Sequence, residues 1–256
     1  MDFDPAKLAE FTGRMVAGEP VGFPGLDLHA CDISGRRFVF AVDMKRDPIQ
    51  RALREGKFYE EEELSLVKSI FPFGGTFVDI GANVGNHSLY VASFLTAAKV
   101  IPFEPNPKAL KLLLANIAMN GLTDRFDLSH LGQGVARSPG TGFGIEDRNR
   151  NLGAARMRAG EGEIRVTTGD IALVNDAPDF IKIDVEGMEI DVLCGLRETI
   201  ARCQPALLVE VDRDNDTAFH ALLDEIGYCV VQTLQHYRQN KNYVVKPRPD
   251  DAAGQG

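Results

Sequence analysis

The sequence predicts a doubly wound α/β fold with a mostly parallel central sheet. Two observations carry this prediction: short apolar runs alternate with amphipathic helical patterns from residue 76 to residue 226, and polar residues directly follow several of these runs. Strands that alternate with helices form parallel sheets, and ligands bind at the carboxyl ends of such strands. A chain of 256 residues, 44% of them hydrophobic, is long enough for one such domain with its own core.

Composition and charge exclude several classes of protein. The formal net charge is −9, so phosphates are repelled and nucleic acid is not expected as a partner. The first residues lack the pattern of a signal peptide, and no apolar run approaches the roughly 18 residues of a membrane span. The four cysteines form no CxxC pair, which is typical of a reducing compartment. We therefore expect a cytoplasmic protein without disulfides or structural zinc.

The N-terminal part, residues 1–56, is the least regular and is interpreted as an extension that packs on the core. One strand is expected there, at 37–42, after a turn at Ser34-Gly35. The acidic run 60–63 then begins a helix that ends near residue 71, because carboxylates in a first turn favour the positive end of the helix dipole. The main domain is accordingly assigned to residues 57–246.

The core elements follow in alternating order. Strands are expected at 76–80, 99–103, 126–131, 180–185 and 206–211, and helices at 86–98, 107–120, 189–203 and 217–226. The last two β-rich runs, 228–234 and 242–245, are close enough to pair as an antiparallel hairpin. Residues 247–256 carry nothing to bury and are expected to be a disordered tail.

Residues 132–168 interrupt this rhythm. Eight of the 31 positions from 132 to 162 are glycine, which predicts a long loop or hairpin insertion. Long insertions in compact domains are usually functional. We interpret this one as a lid over the binding site of a substrate.

A glycine-rich loop, Asp79-Ile-Gly-Ala-Asn-Val-Gly-Asn86, follows the first core strand. Gly81 and Gly85 let the backbone turn sharply and approach a ligand. A dinucleotide fingerprint would require glycine at positions 83 and 86, where asparagine stands, so the loop disfavours a nicotinamide cofactor. The amides of Asn83 and Asn86 and the carboxylate of Asp79 suit the smaller charged groups of an amino acid. A structural turn without a ligand is the alternative.

The second core strand ends in Glu104-Pro105-Asn106. Glu104 lies 19 residues beyond Gly85, close to the spacing at which a carboxylate accepts both hydrogen bonds of a ribose diol. Pro105, Asn106 and Gln133 are included as further candidate contacts of the cofactor.

The fourth core strand carries Lys182, Asp184 and Glu186 at alternate positions, so the three side chains are expected on one face. Each of these charged side chains shifts the pKa values of the other two, and shifted pKa values suit acid–base catalysis. A structural ion pair of Lys182 with Asp184 or Glu186 is the alternative. The next strand ends in Glu210-Val-Asp212, and a divalent cation held by these acids is a further option, which no ligand spacing supports.

His87 begins the helix after the glycine loop. The helix dipole there lowers the pKa of an imidazole and favours its neutral form, which can act as a base. A capping or simply exposed histidine fits the pattern equally well.

Three blocks of sequence together resemble one known family. FVDIGANVGNHSLYVASF, VIPFEPNPKALKLLLANIAMNGL and DFIKIDVEGMEIDVLCGL stand in the order found in FkbM methyltransferases, which depend on S-adenosylmethionine. The resemblance implies a Rossmann-like class I methyltransferase fold with a seven-stranded sheet and helices on both faces. It also implies that Asp79, Gly81, Asn83 and Gly85 surround the methionine part of the cofactor and that Glu104 binds the ribose.

The same resemblance implies transfer of the methyl group to a hydroxyl oxygen of a sugar, glycan or natural-product acceptor. Asp184 and Glu186, tuned by Lys182, are the expected catalytic residues, and His87 is the alternative base. Asn151 and Gly153 resemble the N-x-G of the family's insertion, and Asp170 resembles the Asp of its T-L-D element. An NAD(P)-dependent oxidoreductase and a non-catalytic protein that merely binds the cofactor are the competing interpretations.

Overall fold

The N-terminal part of the chain is more regular than predicted. The computed structural model describes residues 4–146, 152, 155–160, 162–236 and 238–249. Where the sequence suggested one strand, the chain forms helix α1 (Pro5–Val16), a hairpin of β1 (Asp27–Ile33) and β2 (Arg36–Val42), and helix α2 (Pro48–Arg54). Asp4 and Asp47 accept backbone hydrogen bonds as N-caps of the two helices, a local signal that the sequence analysis missed.

The remaining elements follow in chain order. They are α3 (Glu61–Ile70), β3 (Thr76–Ile80), α4 (Asn86–Phe94), β4 (Lys99–Phe103), α5 (Pro107–Met119), β5 (Gln133–Val135), β6 (Gly140–Glu146), β7 (Arg156–Ala159), β8 (Ile164–Thr167), α6 (Gly169–Ala172), β9 (Phe180–Ile183), α7 (Glu189–Cys194), α8 (Arg197–Cys203), β10 (Ala206–Asp212), α9 (Asp216–Glu225), β11 (Tyr228–Leu234) and β12 (Asn240–Pro247). The alternation of strands and helices from β3 to α9 agrees with the prediction.

The central sheet has the strand order β11-β12-β10-β9-β3-β4. The four strands β4, β3, β9 and β10 are parallel, and β12 is antiparallel to both of its neighbours. The strand expected at 126–131 is wrong: only Phe126 forms an isolated bridge, with Val100. The chain turns away because Asp127 accepts hydrogen bonds from the backbone and hydroxyl of Ser129. Within the described residues the central sheet therefore has six strands rather than seven.

The single helix expected at 189–203 is two helices, α7 and α8. The break falls at Gly195, where a Cβ atom would lie 2.2 Å from the backbone oxygen of Ala136. Asp170 caps α8 by accepting hydrogen bonds from the backbone of Glu198 and Thr199. Asn151 and Gly153, also linked to the family by sequence, lie outside the described residues.

The insertion is a second small sheet rather than a loop or a lone hairpin. Its strand order is β5-β8-β6-β7, with β6 and β7 paired antiparallel. The backbone of Leu152 in this insertion donates a hydrogen bond of 2.8 Å to the carboxylate of Asp47, which is buried. The N-terminal part and the insertion are therefore tied to each other.

Two apolar layers cover the faces of the central sheet. Phe77 and Val78, neighbours on β3, belong to opposite layers, as the alternation of side chains along a strand requires. Phe38 and Phe40 of β2 join the layer of α4 and α5, so the N-terminal hairpin is part of the core. In the described part of the chain, no helix has the length and apolar character needed to cross a membrane.

Asn116 on α5 connects three parts of the molecule. Its side chain is fully buried; Oδ1 accepts a hydrogen bond of 2.7 Å from the backbone of Ala41, and Nδ2 donates one of 2.8 Å to the backbone oxygen of Val84. The amide thus joins the N-terminal hairpin to the loop that follows β3.

We predict that Asn116→Ala lowers the free energy of unfolding by about 2–4 kcal/mol, because two buried backbone groups lose their partners. Urea denaturation measures this change. Met119→Ala, at an exposed position of the same helix, is the control and should change stability by less than about 0.5 kcal/mol. Equal stability of the two variants would contradict the connecting role of Asn116.

Candidate active site

The glycine loop crosses the end of β9 at very close range. Gly81 has a φ of 83°, and a Cβ atom there would lie 1.8 Å from the backbone oxygen of Asp184. The backbone amides of Gly81 and Ala82 both donate to the oxygen of Phe103, at 2.9 and 3.0 Å. Only glycine permits this approach, which brings the ends of β3, β4 and β9 together.

A cleft lies over the carboxyl ends of these three strands, where the fold class predicts a ligand. Seven of the predicted site residues line it: Gly81, Asn83, Glu104, Pro105, Asn106, Asp184 and Glu186. The insertion contributes Gly134, Val135, Ile145, Leu152, Ala155 and Met157 to the opposite wall. The cleft is therefore polar on the side of the strand ends and mainly apolar on the side of the insertion.

Glu104 organises the polar wall of the cleft. Its Oε2 accepts a hydrogen bond of 2.7 Å from the backbone of Asn83, and its Oε1 accepts one of 2.7 Å from the backbone of Asn106. Burial raises the pKa of Glu104 to about 7, although these two hydrogen bonds and Lys182 oppose the shift. The carboxylate is therefore fixed in orientation while it retains lone pairs for a further donor.

Two buried amide atoms in the same wall have no partner among the residues that the structure describes. They are Oδ1 of Asn83, an acceptor, and Nδ2 of Asn106, a donor. Both residues line the cleft. Because an unpaired buried polar atom is costly, these atoms indicate a site for a polar ligand.

Four other predicted cofactor contacts do not line the cleft. Asp79 is fully buried behind the loop and accepts a hydrogen bond of 2.7 Å from the hydroxyl of Ser88. The amide of Asn86 pairs with the backbone N–H and oxygen of Tyr59, Gly85 packs against α5, and Gln133 lines a neighbouring groove. Their contact with a cofactor stays a prediction.

Lys182 lies at the centre of the strand ends. Its Nζ is 3.2 Å from Oδ2 of Asp184, 3.4 Å from Oδ1 of Asp79 and 3.3 Å from the backbone oxygen of Gly81. Burial opposes the charged ammonium, but Asp184 and Asp79 outweigh it and raise the pKa of Lys182. The same ion pair lowers the pKa of Asp184 against its own burial.

The prediction that Glu186 shares a face with Lys182 and Asp184 is wrong. The strand ends at Ile183, and left-handed φ angles of 49° at Glu186 and 93° at Gly187 turn the chain. Glu186 lies 3.6 Å from the guanidinium of Arg156, which also contacts Asp212 at 2.8 Å. Of the two alternative ion pairs, Lys182 therefore forms the one with Asp184, and Arg156 of the insertion pairs with Glu186.

A second, smaller cavity adjoins the cleft, and we call it the polar cavity. It is lined by Glu60, Glu63, His87, Lys182, Ile183, Asp184, Leu208, Glu210 and Asn242. Asp184 lines both the cleft and the polar cavity. Asp184 therefore lies at their junction.

His87 reaches the polar cavity from the start of α4. Its side chain is 4% exposed, Nδ1 is 4.0 Å from Oε2 of Glu60, and Nε2 has no partner within the described residues. Burial and the charge of Lys182 lower the pKa of His87 to about 4. The predicted neutral imidazole agrees with this direction, but burial rather than the helix dipole is its main cause.

Glu60 is a site residue that the sequence analysis missed, because the acidic run was interpreted only as a helix start. It adopts a left-handed φ of 58° without capping α3 through its side chain, and such strain in a residue other than glycine often marks functional sites. Burial and the charge of Asp184 raise the pKa of Glu60 to about 8. No local pattern signals this, since the partners come from distant strands.

Across the described ranges, no group of three or more His, Cys, Asp or Glu side chains is arranged to hold a metal ion.

The chain matches the model of one protein family and resembles one of its curated relatives. The family model described as the methyltransferase FkbM domain matches residues 79–244. Methyltransferase sdnD of Sordaria araneosa is 23% identical over 219 residues, covering 70% of this chain and 83% of its own length.

Two solved structures are also similar. A methyltransferase FkbM from Methylobacillus flagellatus KT has 21% identity and a TM-score of 0.49, with 69% of this chain aligned to 45% of that chain. This chain thus spans less than half of that protein. A putative rRNA methylase from Clostridium thermocellum has 12% identity and a TM-score of 0.50 over 74% of this chain and 96% of that one, which shows a shared fold.

We predict that Glu60→Gln weakens the loss of stability with rising pH. The folded pKa of Glu60, about 8, lies above its usual value of 4.5. The resulting stabilisation is complete below pH 4.5 and is lost as the pH rises through 8, when the folded state must ionise a buried carboxyl. Urea unfolding from about pH 5 to 9 measures this slope.

The control is Glu61→Gln, at an exposed position one residue further along the chain. It should keep the slope of the unaltered protein. If both variants show the same slope, the buried environment assigned to Glu60 is incorrect.

Proposed function

Because this chain belongs to the FkbM family of methyltransferases, whose cofactor is S-adenosylmethionine, we propose that it methylates a hydroxyl oxygen of a sugar or another small-molecule acceptor. The observation that carries this proposal is the position of Asp184. Asp184, whose carboxylate is kept ionised, lines both the cleft and the polar cavity.

The cleft residues fit the chemistry of the cofactor. Glu104 keeps lone pairs for the two hydroxyl groups of a ribose, and Oδ1 of Asn83 is an unpaired acceptor for an ammonium group. Nδ2 of Asn106 is an unpaired donor. When bound, the cofactor supplies an electrophilic methyl group on a sulfonium.

Asp184 is the proposed proton acceptor. Lys182 keeps it ionised, so it is a weak base at neutral pH. A weak base suffices because an alcohol oxygen becomes strongly acidic as it forms its new bond to carbon. His87, neutral and with Nε2 unpaired, is the alternative proton acceptor on the other side of the polar cavity.

The insertion is proposed to exclude water from the cleft and to contact the acceptor. Arg156 pairs with Glu186 and Asp212 on the rim, and the backbone of Leu152 bonds to Asp47. These contacts hold the apolar wall over the strand ends. Alignment of two reactants in a closed site supplies much of the acceleration of a displacement reaction.

The competing functions make different predictions. An NAD(P)-dependent oxidoreductase is disfavoured because the side chain of Asn83 stands where a pyrophosphate would need bare backbone. A non-catalytic binding protein would bind S-adenosylmethionine without transferring methyl groups. Nucleic acid as an acceptor is not expected from the net charge of −9, and an RNA substrate belongs in the acceptor screen as a test of that expectation.

We predict that Glu104→Gln weakens binding of S-adenosylmethionine by about 10- to 100-fold, because a charge-assisted hydrogen bond to the ribose is lost. Calorimetry near pH 8, above the pKa of about 7, keeps the unaltered carboxylate ionised. Glu198→Gln, at an exposed position on α8, is the matched control and should bind normally. Unchanged affinity in Glu104→Gln would remove Glu104 from the cofactor site.

We predict that Asp184→Asn lowers methyl transfer by at least about 100-fold while S-adenosylmethionine still binds, because the amide keeps the shape of the side chain and cannot take a proton. The assay follows a labelled methyl group into hydroxylated acceptors. Glu186→Gln changes the other carboxylate that the sequence predicted to be catalytic. It shows whether a loss of activity is specific to Asp184 or also follows from a change at the rim of the cleft. Full activity of Asp184→Asn would mean that another group accepts the proton.

A further inference from the structure

Glu210 is a partly buried carboxyl group in this region to which the proposed function gives no role. It follows Val209 on β10, and Val209 pairs with Ile183 of the neighbouring parallel strand. Glu210 is therefore the next residue on β10, and Asp184 directly follows the adjacent end of β9. Both side chains line the polar cavity, so the two carboxyl groups are neighbours there.

The charges around this pair do not permit both carboxyls to be ionised. Lys182 is the cation that contacts Asp184, and it already neutralises Asp79 as well. Glu210 receives a hydrogen bond from the neutral amide of Asn240. Two carboxylates that are neighbours in one small cavity repel each other, so one of them retains a proton.

The proton belongs to Glu210 rather than to Asp184, because Lys182 contacts Asp184. The titratable groups that face the pair come from several elements: Glu60 and Glu63 at the start of α3, Asp79 on β3, His87 on α4, Lys182 on β9 and Glu186 in the loop after it. Most of these are acids, and burial together with Asp184 raises the pKa of Glu210 far above its ordinary value. The pKa of Asp184 moves in the opposite direction.

We propose that Glu210 is a positioning residue: as a neutral carboxylic acid it donates a hydrogen bond to the carboxylate of Asp184 and holds it at the junction of the cleft and the polar cavity. This inference rests on the proposed function only for the role of Asp184 as the proton acceptor. With Lys182 on one side and Glu210 on the other, the carboxylate of Asp184 has a fixed orientation. A carboxylate held in this orientation accepts a proton from one side only.

The proton on Glu210 is observable without any acceptor. The infrared spectrum of the full-length protein minus that of Glu210→Gln should contain the carbonyl band of a protonated carboxyl at about pH 7, and this band should persist at about pH 9, where Glu60 has begun to ionise. In an Asp184→Asn background the same band should titrate away at lower pH, because the neighbouring negative charge is gone. Absence of the band at neutral pH overturns the proposal.

Substitution tests the hydrogen bond itself. Glu210→Gln keeps an N–H donor, and its rate of methyl transfer should stay within about threefold of the unaltered protein; Glu210→Leu removes the donor and should lower that rate by about tenfold or more, while both variants still bind S-adenosylmethionine. Equal loss in both variants contradicts a donor role. If Glu210→Leu does not fold, the infrared difference and the methyl-transfer rate of Glu210→Gln decide the question.

The two proposals fail separately. If the unaltered protein binds no S-adenosylmethionine, the proposed function fails, and the infrared band still reports the state of Glu210. If the cofactor binds and the methyl group is transferred while the band is missing, the proposed function stands and the positioning role of Glu210 is wrong.

Discussion

The buried ammonium of Lys182 is the interaction on which the candidate site depends. It contacts Asp79 from β3, Asp184 after β9 and the backbone of Gly81 in the glycine loop, with only 7% of its side chain exposed. Burial of an unpaired ammonium costs several kcal/mol, so these contacts are required together. They lock the loop against the strand ends and thereby define the cleft.

Acidic side chains outnumber cationic ones around this ammonium, and protonation of some of the acids reduces the excess of negative charge. The pKa values of Glu60 and Glu104 are raised by burial, while that of His87 is lowered. All three shifts favour neutral side chains, because the interior stabilises charge less well than water does. A cationic ligand at this edge of the sheet would favour the ionised form of these acids, and the sulfonium of the family's cofactor is such a ligand.

Much of the fold was predictable because its signals are local. The glycine loop, the strand ends and the position of Glu104 follow from apolar periodicity and from the spacing of a few residues, and seven predicted residues line one cleft. The errors arose where local patterns compete with contacts. Asp127 and Ser129 form a turn in place of a strand, and the helix expected at 189–203 divides at Gly195, which packs against the backbone of Ala136.

The sequence by itself determined the fold class, the family resemblance and the identity of the residues around the glycine loop. Only the tertiary structure decided their pairing: Lys182 bonds to Asp184 and not to Glu186, and Glu60, His87 and Glu210 meet around one polar cavity. The physical reason is that a pKa or an ion pair depends on burial and on neighbours from distant strands. Side-chain alternation and residue spacing describe a single strand or loop. They give no information on burial or on neighbours from distant strands.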